Sequence, residues 1–238
     1  MPDHLGVLRR LLVPIACVGC GRPHTWWCPR CAADVGGGGC AQLPGSDLIL
    51  SSAAQYRGAG RDLVLGLKER HITALAVPLS ALLVRAIRDH PDFGQGRVIV
   101  PVPATGRSRR QRGFDVVDLL LSAGPPLPVS RCLVWRRRPR SQKSLHRLER
   151  ARNLAGALEA RSEARSVILV DDVVTTGATT REAVRAVRAA GGTVVAVASV
   201  CHTPASVRPD PARRTRTSTA PRALTQHPRA GPGDPSGQ

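Results

Sequence analysis

The sequence predicts an α/β domain built on a parallel sheet with flanking helices, preceded by a small cysteine module and followed by a loose tail. Three observations carry this. The stretches "SVILV" (166–170) and "TVVAVASV" (193–200) are continuous apolar runs without alternation, as expected of strands covered on both faces. Residues 167–200 read strand–helix–strand, a βαβ unit with a parallel crossover. Cys17, Cys20, Cys28 and Cys31 form two C-x-x-C knuckles inside the first 45 residues.

Taken in chain order, residues 1–45 form the cysteine module and end in "GGGGCAQLPG", a composition typical of a linker. The main domain is expected over 46–203. There "LILSSAAQY" (48–56) reads as a strand, and "RDLVLGLKER" and "ALAVPLSALLVRAIRDH" as helices. "RVIVPVP" (97–103) is a strand running into a proline-bounded loop, "FDVVDLLLSA" a helix, and "RCLVW" a short strand. "RRRPRSQKSLHR" reads as a long charged loop and "LERARNLAGALEA" as a helix. "SVILV", "ATTREAVRAVRAAGG" and "TVVAVASV" complete the βαβ unit. Residues 204–238 are rich in Pro, Arg, Ser, Thr and Gly without period, the composition of a disordered basic tail.

Composition narrows the function classes. With 238 residues and 42% hydrophobic content, a full core can form. No apolar run reaches the about 18 residues of a membrane span, and the N-terminus lacks the pattern of a secretory leader, so a cytoplasmic protein is expected. The formal net charge of +18 suits a polyanion partner. It also suits a coding bias, because arginine, alanine, glycine and proline are all abundant while Lys68 and Lys143 are the only lysines. The charge is clustered: Arg107, Arg109, Arg110 and Arg112 form one group, and 131–152 a second whose single acid is Glu149.

The most informative stretch is "VILVDDVVTTGATT" (167–180). A parallel strand delivers its last residues to the carboxyl edge of the sheet, where ligands bind in open α/β folds. Asp171 and Asp172 stand there. A helix begins near Ala178, and its first turn offers unpaired N–H groups and a positive dipole end. Thr175, Thr176 and Thr179 add hydroxyl donors, and Gly177 permits close backbone approach, so Thr175–Thr179 form a phosphate cradle. Carboxylates hold vicinal hydroxyls through charge-assisted hydrogen bonds. The stretch therefore suits a ribose 5-phosphate, with diol on the aspartates and phosphate on the loop. Three rivals fit less well. No Walker A loop occurs to accompany a Walker B acid, no G-x-G-x-x-G fingerprint occurs, and a receiver domain carries its acid pair on the first strand.

The same stretch resembles the phosphoribosyl-pyrophosphate (PRPP) motif of type I phosphoribosyltransferases. Further segments are similar to the ComF/GntX family, named for a competence protein of DNA uptake: "QYRGAGRDLVLGLK" (55–68), "PVPATGRSRRQRGFD" (101–115), and "SQKSLHRLERARN" (141–153) with Gln142, Leu145, Arg150 and Asn153 in place. The likeness covers about residues 14–203. It implies a phosphoribosyltransferase that binds PRPP with Mg²⁺, with Asp171 and Asp172 as catalytic and sugar-binding residues and Thr175, Thr176, Gly177, Ala178 and Thr179 on the phosphate. It also implies that Arg107, Arg109 and Arg112 bind pyrophosphate and that 136–150 is the mobile lid, a segment whose length and charge also fit a nucleic-acid contact, the lid being the preferred reading. The chain departs from the family at Asp115 and Val116, where Asn-Gln is usual. A second function stands beside the enzyme: a non-catalytic component of DNA uptake or processing, with single-stranded DNA or uptake proteins as partners. Both basic clusters are expected on the edge that carries Asp171.

The knuckle spacing of Cys17, Cys20, Cys28 and Cys31 closes a tetrahedral thiolate site, and in a cytoplasmic chain it predicts structural Zn²⁺ rather than disulfides. Trp26 and Trp27 lie between the knuckles, available to pack on the metal turn or on the main domain. Cys40 stands alone, and Cys132 and Cys201 lie in strands as apolar residues. Lys68 ends a helix, where lysine is favoured with or without a function. His71, His146 and His202 have no partner at ligand spacing.

Overall fold

The computed structural model describes residues 15–94, 96–137, 154–161, 166–203 and 208–209. The lid expected at 136–150 falls almost wholly outside them, as does the "SQKSLHRLERARN" segment and, apart from 208–209, the tail.

A short helix α1 (Pro29–Ala33) follows the knuckles, with Cys28 as its N-cap. Strand β1 (Gly37–Gln42) then pairs antiparallel with β2 (Ile49–Gln55). The glycine run expected as a linker is thus a strand. Its reason is close approach: a Cβ on Gly38 would land on the Ala53 carbonyl group and the Ser52 oxygen. Helices α2 (Gly58–Lys68) and α3 (Ala76–Arg88) lead to β3 (Val98–Pro101). Two seven-residue helices follow, α4 (Gly106–Arg112) and α5 (Val116–Ser122). Next come β4 (Leu133–Trp135), β5 (Leu158–Ala160), β6 (Ser166–Val174), α6 (Ala178–Ala189), β7 (Thr193–His202) and the two-residue β8 (Arg208–Pro209).

The main sheet runs β3-β6-β7-β2-β1-β8. The β3/β6, β6/β7 and β7/β2 pairs are parallel, and β1 and β8 add an antiparallel edge. Burial explains the lack of alternation along β6. Ile168 and Val170 face a core shared with Leu63, Leu67, Leu83 and Leu120 of α2, α3 and α5. Val167 and Leu169 face a second core with Ala183, Val184 and Val187 of α6. Both faces must be apolar, and each fully buried aliphatic side chain contributes about 1.5–3 kcal/mol.

A further expectation needs correction. The helix expected across "LERARNLAGALEA" is not present at its end, where 158–160 is a strand. Gly156, at φ 71°, lies in the left-handed region that breaks a helix, and β4 captures the residues that follow (Leu133↔Ala160, Trp135↔Leu158). This β4–β5 ribbon is separate from the main sheet and docks on α6: Glu182 accepts from the Leu158 N–H (3.0 Å), and Arg185 donates to the Leu158 carbonyl (2.7 Å). Among the described residues, no helix is long and apolar enough to cross a membrane.

Candidate functional site

Strand β6 runs through the aspartates instead of ending before them, because β7 continues alongside it (Asp171↔Ser199, Val174↔His202). On its other flank β3 pairs only as far as Pro101↔Val170. Residues 171–174 therefore have a strand neighbour on one side only, at the carboxyl edge. Asp171 Oδ1 accepts from the Asp172 N–H at 2.8 Å. Burial first, and then the charge of Asp172, pushes the Asp171 carboxyl up from 3.8 to about 8. Lys68 moderates that rise, with its Nζ 2.9 Å from Asp172 Oδ1. Burial alone would lower the Lys68 ammonium, but Asp172 outweighs it and holds it above its ordinary value.

The chain then turns through Thr175 and Thr176 into α6. Gly177 is the N-cap in the left-handed conformation (φ 69°). A Cβ there would lie 3.1 Å from Leu43 Cδ1 and 3.2 Å from Arg181 Nη1, so the positive φ favours glycine and the space beside it is tight. Arg181 Nη1 donates to the carbonyls of Thr176 (3.0 Å) and Pro44 (2.6 Å), fixing the turn from behind. With the arginine on their carbonyl side, the N–H groups of the first turn remain at the positive end of a twelve-residue helix.

Helix α4 follows β3, the neighbour of β6, so it leaves from the same edge. The arginines expected on a loop sit on this helix, capped by Thr105, whose Oγ1 accepts from the Ser108 N–H. Arg107 and Arg109 are exposed and make no side-chain hydrogen bond or ion pair among the described residues. Arg112 Nε donates to the Lys68 carbonyl (3.2 Å), which ties α4 to the end of α2. Asp115 makes two bonds that settle its local role: Oδ2 accepts from the Ala104 N–H (2.7 Å) and Oδ1 from the Val117 N–H (3.1 Å). It caps α5 and pins the loop before α4 with one oxygen each, and burial raises its carboxyl above the ordinary value.

Two contributors were not identifiable from local pattern. One is Lys68, whose partner lies 104 residues away. The other is Trp135, whose Nε1–H is shared between the carbonyls of Pro103 (3.0 Å) and Ala104 (3.1 Å) and so clamps the loop that aims α4. The second basic cluster follows Val129, which makes an isolated parallel bridge to Ile99 of β3 instead of a full strand of the main sheet. Arg131 pairs with Asp118 on α5, Arg137 donates to the Ala155 carbonyl, and 138–152 lie outside the described residues. Two histidines serve local structure instead of this site. His71 packs edge-on against Phe114, and His202 Nδ1 meets the Ser52 hydroxyl at 2.6 Å.

The cysteine sulfurs of Cys17, Cys20, Cys28 and Cys31 all lie within 4.8 Å of one another. Zinc–sulfur bonds of about 2.3 Å in a tetrahedron put sulfurs about 3.8 Å apart. The Cys20–Cys28 separation of 3.6 Å fits that edge, so the four thiols are compatible with a structural zinc. The knuckles do not stand apart from the main domain. Trp27 packs on both the cysteines and the larger core, and Val18 lies under Gly66 of α2.

Comparison with known proteins agrees with this geometry. The phosphoribosyl transferase domain family matches residues 79–226. The chain is 32% identical over 201 residues to the DNA utilization protein YhgH of Escherichia coli K12, covering 79% of this chain and 84% of the relative. The Salmonella typhi protein of the same name is 30% identical over 204 residues, covering 79% and 88%.

Proposed function

The chain belongs to the phosphoribosyl transferase domain family as a ComF-like member, and from that premise we propose that it binds PRPP with Mg²⁺ and transfers the phosphoribosyl group. One observation carries the reading: two carboxylates near the carboxyl end of β6 stand a short turn before a glycine-capped helix start, beside a helix whose Arg107 and Arg109 are exposed and unpaired among the described residues. Asp171 and Asp172 accept the ribose hydroxyls. The backbone N–H groups at the start of α6 and the hydroxyls of Thr175, Thr176 and Thr179 take the 5-phosphate. Cleaving the C1–O bond leaves negative charge on the departing pyrophosphate, and Arg107, Arg109 and Arg112 stabilise it as it develops. The carboxylate oxygens of Asp171 and Asp172 are the hard donors that Mg²⁺ prefers, and the ion adds charge stabilisation at the pyrophosphate when bound. Zinc on the four cysteines is structural.

The relatives' name supports a second reading, a non-catalytic component of DNA handling in which the same edge senses PRPP or meets DNA phosphates through Arg107, Arg109 and Arg110. Both readings suit a cytoplasmic protein. Incubation of the protein with PRPP, Mg²⁺ and a metabolite extract separates them. Pyrophosphate release that requires the extract and an intact Asp171 supports the transferase. PRPP binding without release under any extract decides for the second reading.

A further inference from the structure

We propose that Lys68 is an exchanging counter-ion of the ligand site: it neutralises Asp172 in the ligand-free protein and passes to the pyrophosphate when ribose hydroxyls take that carboxylate over. The inference rests on the PRPP reading above and adds to it a residue that local sequence left open between a functional lysine and an ordinary helix-end one.

The geometry creates a competition. Lys68 Nζ occupies Asp172 Oδ1 at 2.9 Å, with the two side chains 22% and 15% exposed. Asp172 is one of the two carboxylates a sugar diol requires, so the ion pair and the diol claim the same oxygen. An ammonium that loses its partner in a shielded site carries an unpaid desolvation penalty, and a replacement anion must be within reach. The structure supplies the place for one. The Lys68 carbonyl accepts from Arg112 Nε at 3.2 Å, so the last residue of α2 is fastened to the helix that presents Arg107 and Arg109. An anion lying along α4 falls within the sweep of the lysine side chain.

Lysine is also the right cation for this. It is a compact charge on a flexible four-carbon stem, whereas a guanidinium is a rigid fork suited to fixed partners. Contrast the arginines of α6. Arg185 and Arg188 are held by Glu182 and Asp47, and Arg181 by two carbonyls. Among the described residues the Lys68 ammonium has one side-chain partner, Asp172, and that carboxylate is the one the ligand claims.

Two ligands separate the exchange from simpler roles. Mg²⁺-PRPP carries the pyrophosphate, and ribose 5-phosphate carries the same diol and phosphate without it. Calorimetry on Lys68→Met should show PRPP affinity reduced about ten- to a hundredfold, as expected for loss of one charge-assisted hydrogen bond. Ribose 5-phosphate should bind as in the wild type or more tightly, since Asp172 is no longer occupied. Equal weakening of both ligands, or no change in either, would overturn the exchange. Wild-type protein that binds neither ligand would instead overturn the PRPP reading beneath it. A second readout needs no change at Lys68. The chain has only two lysines, so ¹⁵N-lysine labelling yields two Nζ resonances, and the one that Lys143→Arg removes identifies the other. The Lys68 resonance should shift on saturation with Mg²⁺-PRPP. A resonance unmoved by bound PRPP would contradict the proposal.

Discussion

Replacing Asp171 by asparagine should stabilise the ligand-free protein, and by more as the pH rises. Burial and the neighbouring Asp172 hold the Asp171 carboxyl at about 8, against 3.8 for the unperturbed side chain. A folded-state value raised above the unfolded one means that the native state binds the proton more tightly. The favourable contribution is complete below about 3.8 and is lost progressively as the pH climbs to about 8, above which no further loss occurs. At about 1.36 kcal/mol per pH unit the ceiling on the cost is about 6 kcal/mol. The strand end is only partly shielded, which reduces this to roughly 2 kcal/mol. Asparagine removes the charge but keeps an Oδ1 that can accept the Asp172 N–H (2.8 Å in the wild type). In a chain of this size each 1 kcal/mol moves Tm by about 2–4 °C. Asp171→Asn should therefore melt roughly 4–8 °C above the wild type at pH 8.5, and within about 2 °C of it at pH 4.5. Scanning calorimetry of both proteins at several pH values measures the gap. A gap that stays constant or narrows toward alkaline pH would refute the reasoning.

Two other outcomes follow from the same structure. Metal analysis should find one zinc per chain, lost in Cys28→Ser, and chelation should loosen the module while the two-sided core of the main sheet keeps its own transition; full zinc in the variant would remove Cys28 from the site. Trp135→Phe keeps the ring but loses the N–H shared by Pro103 and Ala104, which should cost about 1 kcal/mol, lower Tm by about 2–4 °C and weaken PRPP binding. An unchanged PRPP affinity measured by calorimetry would show that the loop before α4 is aimed without this clamp.

Much of the fold was legible because its signals are local. The βαβ unit is spelled out by contiguous apolar runs around one amphipathic helix, and the knuckles by spacing inside fifteen residues, Cys17 to Cys31. The Asp-Asp and Thr-Thr-Gly stretch was likewise readable, since its chemistry needs only the order of residues at a strand end and a helix start. What was not legible depends on partners distant in sequence. The glycine run 36–39 reads as a linker until the Ala53 backbone crosses it at β1. Residues 158–160 have helical composition and become a strand because β4 pairs with them. Strand β6 outruns its apolar segment because β7 continues beside it. Lys68 and Trp135 meet the site only through tertiary contacts, and nothing in their immediate neighbours announces it.

If PRPP binds at the carboxyl edge of β6, Asp171 and Asp172 form one ligand site with the loop that opens α6. Isothermal titration of Mg²⁺-PRPP into the wild type and into the Asp171→Asn, Asp172→Asn double variant tests it most directly. At a pH above about 8, where the Asp171 carboxyl is ionised, hydroxyl bonds to a charged acceptor are worth about 1.5–3 kcal/mol each, so removing both charges should weaken binding by at least a hundredfold. A saturable isotherm is expected for the wild type, and none for the folded variant at the same concentrations. Equal affinity in the two proteins would place the sugar elsewhere and contradict that assignment.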